Sequence, residues 1–133
     1  MKIITFFSLC LFVFPFLAQK DACTITDKKA IKALQSLKDE QDITKATTMF
    51  QELYSEYSQY SELPFIMANK SYVYYQKIKK DPKKSQEASK FEAQAYLMFA
   101  SSYKKCSTFH ADNLYYIASI LVGRGETENA IIS

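Results

Sequence analysis

The stretch NLYYIASILVGRGETENAI, residues 113–131, holds both glycines of this 133-residue chain, Gly123 and Gly125. Glycine adopts positive φ at little cost and lets two backbones approach, which is what a tight turn between helices requires. Ahead of the turn, Leu114, Ile117, Ala118 and Leu121 recur at three- and four-residue steps, the spacing of one buried helical stripe. Gly125 then closes that helix, Glu126 and Thr127 open the next, and the small Ala130 falls where the two touch. The stretch reads as a helical hairpin. The fold then turns on whether the rest of the chain repeats it.

Past Cys23 there is almost no strand-like alternation, and the same helical spacing continues upstream. TDKKAIKALQSLK is predicted to be a helix capped by Thr26 or Asp27, with Ala30, Ala33, Leu34 and Leu37 on one face. In DITKATTMFQELYSEYSQY, Asp42 is the cap and Ile43, Ala46, Met49, Phe50, Leu53, Tyr57 and Tyr60 are in register. Pro64 suits the first turn of a third helix, which carries Phe65, Ala68, Tyr72 and Tyr75. After the break at DPKKSQ, a fourth helix runs through Ala88, Phe91, Ala95, Leu97, Met98 and Tyr103. CSTFHAD connects it to ADNLYYIASILV. Every connection is short, so neighbouring helices should be antiparallel. The predicted class is all-α, built of antiparallel helical hairpins.

The hairpins also repeat in spacing. Leu34 and Ala46 are 12 residues apart, as are Ala118 and Ala130, and Leu34 to Asn69 is 35 residues. The chain resembles the tetratricopeptide repeat family, whose repeats are helix pairs of about 34 residues. The match is best at Leu114, Ile117, Ala118, Leu121, Gly125 and Ala130, while Ala46, Phe50 and Leu53 fit the second-helix pattern of a first repeat. Leu34 and Asn69 stand where that family has a small residue, Gln41 replaces the turn glycine, and the middle repeat carries an insertion. The resemblance implies a short stacked solenoid over residues 27–133, with approximate repeats 27–60, 61–108 and 111–133, the last incomplete. It implies a protein or peptide partner held on a concave helical face. A small helical bundle that holds an apolar ligand among its Phe- and Tyr-rich helices is the alternative.

The first residues have a different character. Lys2 is followed by a mostly apolar run from Ile3 to Ala18, too short for a comfortable span of about 20 residues. Basic start, short apolar core and small residue before a polar stretch are the layout of a secretory signal, here residues 1–18, with 19–26 as an N-terminal segment. The mature chain is then expected to be secreted or periplasmic. It keeps Cys23 and Cys106, which either pair in an oxidising compartment or remain two thiols; their spacing does not decide.

The formal charge is +3, with Lys and Asp/Glu interleaved through most of the chain, which is no nucleic-acid signature. Cys106 and His110 lack the further ligands a closed zinc site needs and any group to orient them for catalysis. No phosphate loop, paired-histidine motif or nucleophile elbow occurs in the sequence. The sequence therefore predicts a non-catalytic protein without cofactor or metal. Asn69 heads an NKS sequon but falls at a helix–helix contact in the repeat register, so it is expected to be unmodified and partly buried. Six lysines between Lys77 and Lys90 read as a solvated hairpin tip. In the register implied by the resemblance, Lys70, Tyr74, Tyr115 and Ser119 share the first-helix face that lines the groove. They are the candidate partner-binding residues. The end at AIIS has no polar capping helix, so it is expected to fray, to be covered by a second copy or a partner, or to continue in a longer parent chain.

Overall fold

The computed structural model describes residues 23–126, and among these there is no strand. Five helices follow one another: α1 Lys28–Asp39, α2 Ile43–Tyr57, α3 Glu62–Ile78, α4 Ser85–Lys105 and α5 His110–Gly123. Short 3₁₀ turns, Pro82–Lys84 and Ser107–Phe109, lead into α4 and α5. The predicted signal at 1–18 and the expected helix after the glycine turn lie outside the described residues.

Local chemistry fixes the helix ends. The first N–H groups of a helix have no intrahelical partner, and carboxylates at the caps supply one. Asp27 accepts from the backbone N–H of Lys29 at 2.8 Å, and Asp42 from those of Thr44 and Lys45 at 2.9 Å. Pro64 sits in the first turn of α3, where its missing donor is not needed. At the other end of the chain Gly125 has φ +79°. The Glu126 N–H reaches the carbonyl of Leu121 at 2.8 Å, and that of Gly125 reaches Val122 at 3.0 Å. These paired bonds are those of a Schellman cap, which needs a left-handed residue. Gly125 is therefore the stop signal of α5.

The helices stack in chain order around two linked cores. Ala30, Leu34 and Leu37 of α1 meet Ala46, Phe50 and Tyr57 of α2 and Leu63, Ile66 and Met67 of α3 in the first. Ala68, Ala95, Phe99, Ile117, Ile120 and Leu121 from α3, α4 and α5 form the second. Ring contacts give the directions. Phe65 stacks on Phe109 at 4.5 Å, and Tyr72 meets Tyr116 edge-on at 5.3 Å, seven residues further along both segments. So α3 and α5 run the same way, and α4, joined to each by a short turn, returns between them. Cys23 and Cys106 are joined in a disulfide, Cα atoms 5.3 Å apart, which ties the segment ahead of α1 to the end of α4. The question left open by spacing is thereby answered.

Two stripes differ from expectation. In α4 the buried positions are Ala88, Ala95, Phe99 and Ser102, and Leu97 is 61% exposed. Leu97 lies about 200° around the helix from Ala95, so it cannot share that face. In α5 the buried residues are Asn113, Ile117, Ile120 and Leu121, while Leu114 and Ala118 are only half-buried. The helix is turned toward α4 by a polar pair: the fully buried Asn113 amide donates to Ser102 Oγ at 3.0 Å. Hydrophobic periodicity cannot register such a pair.

Candidate functional site

The third helix has two working faces. One, with Leu63, Met67, Ala68 and Ser71, is buried between its neighbours. The other runs through Glu62, Phe65, Ile66, Asn69, Lys70, Val73, Tyr74 and Lys77, the i, i+3, i+4 ladder of a single helix face. It forms the floor of a groove of about 750 Å³. One wall is the end of α1 and the start of α2, with Lys38, Glu40, Gln41 and Ile43. The other is Phe109 of the 3₁₀ turn with Asp112 and Tyr116 of α5. From Glu62 to Lys77 the floor extends about 22 Å at the ordinary helical rise. Val73, one turn before its Lys77 end, is 66% exposed.

The four residues singled out by sequence divide evenly. Lys70 and Tyr74 line the groove, and both are held by their own chain. The Lys70 ammonium donates to the carbonyl oxygens of Lys38, at 2.9 Å, and Glu40, capping the last carbonyls of α1 and pinning that wall to the floor. Burial pulls its pKa down, against the pull of Glu40 and Asp39. Tyr74 donates its hydroxyl to Glu87 Oε1 at 2.8 Å and sets its ring edge-on to Phe91, 4.7 Å between centroids. Tyr115 and Ser119 are not in the lining: Tyr115 is 68% exposed on α5, and Ser119 donates to the Tyr115 carbonyl at 2.7 Å. Tyr116, one residue on, is the α5 tyrosine of the groove. A one-residue step rotates a side chain by about 100°, enough to exchange groove for solvent.

Phe65, Val73 and Phe109 are groove residues that sequence reasoning missed. Phe65 reads as core in a helix with two apolar faces, and Phe109 falls in a connector. Asn69 is half-buried, its amide donates to the Phe65 carbonyl at 3.1 Å, and it lines the groove rather than lying enclosed between helices. His110 is half-buried. It begins α5, with Nε2 2.9 Å from the Tyr103 carbonyl and its ring 4.2 Å from that of Tyr103. Cys106, its neighbour in sequence, is disulfide-bonded and has no thiol to offer as nucleophile or ligand. Among the described residues no three His, Cys, Asp or Glu side chains are grouped to hold a metal ion. No described helix is long and apolar enough to cross a membrane.

Several tyrosines tighten around the groove and the helix contacts. Burial raises the pKa of Tyr57, Tyr72 and Tyr75, and the bond to Glu87, followed by burial, raises that of Tyr74. A group whose folded pKa lies above its unfolded value stabilises the fold fully below the unfolded pKa, and that contribution is lost as pH rises through the folded one. Unfolding by urea is therefore expected to become easier as pH climbs past about 10, the ordinary tyrosine value. Tyrosinate absorbance should rise in step with loss of helix; full ionisation while helicity is intact would contradict the burial of these phenols.

None of the protein families, curated proteins or solved structures compared with the chain matches it.

Proposed function

We propose that this is an exported, non-catalytic helical-repeat protein of tetratricopeptide type that binds a segment of another polypeptide along the α3 groove. One observation carries the reading: a long face of α3, with Val73 exposed on it, is open between two walls contributed by α1 and α5. A helix face normally buries its apolar side or exposes a polar one. Here Phe65, Ile66, Val73 and Tyr116 alternate with Glu62, Asn69, Lys70 and Lys77, the mixture of apolar anchors and polar rim found at protein interfaces. An apolar small ligand fits less well, because six charged residues line the same space. The Cys23–Cys106 bridge supports export, since disulfides persist in oxidising compartments.

The test is selection of random displayed peptides on the immobilised chain, followed by challenge of the selected peptides with two variants. Val73→Asp puts a charge on the exposed apolar part of the groove floor, and binding is expected to fall more than about tenfold, the loss of one anchoring contact. Leu97→Asp, on the exposed side of α4, should leave binding unchanged. Peptides that ignore Val73→Asp would refute the groove as the binding site.

A further inference from the structure

The charge around this groove is uneven, and its distribution selects a partner. Glu62 and Lys38 stand near one end, and Glu40, Lys70 and Asp112 near the middle, so both signs are present there. The other end is different. Lys77 closes the floor, and one residue beyond it, at Ile78, α3 ends and the α3–α4 turn begins. Between Lys77 and Lys90 the chain has six lysines against Asp81 and Glu87, a surplus of four where the whole chain carries +3. All six lysines are exposed. Both carboxylates are engaged: Asp81 accepts from the Lys83 N–H at 3.0 Å, capping the 3₁₀ turn, and Glu87 accepts the Tyr74 hydroxyl at 2.8 Å. Among the described residues no carboxylate stands within ion-pair distance of any of these lysines.

We infer that the groove takes a polypeptide in which an apolar segment is followed by a run of carboxylates, oriented so that the acidic end lies on Lys77 and the hairpin lysines. The inference rests on the groove being a peptide site and adds to it the sign and direction of the ligand. The apolar part lies over Phe65 and Val73; the acidic part leaves the groove at the C-terminal end of α3, where exposed lysines outnumber carboxylates. Complementary charge of this kind sets orientation and speeds encounter more than it adds affinity. Exposed pairs are individually weak, so the lysines act as a group.

The experiment uses the same displayed library of random peptides with the wild-type chain and with Lys77, Lys80, Lys83 and Lys84 replaced together by Gln. Asp and Glu are expected to be enriched on one side of the apolar positions. Binding of these peptides should weaken about tenfold in the lysine variant, the sum of several weak exposed pairs, and by a similar factor at high salt. Peptides that depend on Val73 but show no acidic bias and bind the lysine variant equally would overturn this inference and leave the groove standing. Peptides indifferent to Val73→Asp would overturn both. Sedimentation with phosphatidylserine vesicles through the same lysines, alongside peptides without acidic bias, would assign the hairpin to a lipid surface and overturn the inference too.

Discussion

Replacing Cys23 and Cys106 together by serine is expected to destabilise the chain by about 4 kcal/mol, because the bridge closes a long loop in the unfolded state. The two residues are 83 apart, so the bridge encloses four of the five helices. Its loss acts on the folded side as well. Cys106 is nearly buried, and its sulfur accepts from the Thr108 N–H at 3.2 Å in the turn leading to α5. Ile25, just after Cys23, packs against the first core and is held there by the tether. Urea unfolding of the chain from Gln19, oxidised and reduced, is the measurement. The reduced protein and the double serine variant should unfold at the same, lower urea concentration. Identical midpoints before and after reduction would mean that the bridge does not hold the fold.

Phe99→Ala should cost about 3–5 kcal/mol, the usual range for emptying a buried aromatic site. Phe99 is fully buried and central to the second core. Its ring stacks on Tyr116 at 4.6 Å with 6° between planes, and meets Phe65 at 6.0 Å and Tyr72 at 6.4 Å. Removing it opens a cavity where three helices converge and loosens Tyr116, a wall of the groove. Leu97→Ala, two residues away on the exposed side, should change stability by less than about 0.5 kcal/mol. Urea midpoints of the two variants decide; equal losses would mean that α4 presents a different face to the core.

The two outer-hairpin helices were legible because each has one apolar face. Ala30, Leu34 and Leu37, and Ala46, Phe50 and Tyr57, are buried where periodicity placed them. The middle of the chain was less so. α3 is flanked on both sides and uses two faces, so Phe65 reads as core although it also lines the groove. In α4 and α5 the contact is set partly by Asn113 and Ser102, which no hydrophobic pattern counts, and the stripes shift accordingly toward Ile120 and away from Leu97 and Ala118. The groove was half legible. Lys70 and Tyr74 were found, but their bonds to the end of α1 and to Glu87 join residues distant in sequence. The choice between Tyr115 and Tyr116 depended on a rotation finer than a repeat template defines.

The proposed function places a polypeptide segment on the exposed face of α3, between the walls of α1 and α5. A backbone amide chemical-shift map of the chain, titrated with the tightest peptide from the displayed library, tests it most directly. The largest shifts are expected on Gln41, Phe65, Asn69, Val73 and Asp112, which line the groove from both walls and the floor. Shifts centred instead on Tyr54 of α2 or Leu97 of α4, exposed residues outside the groove, would contradict it.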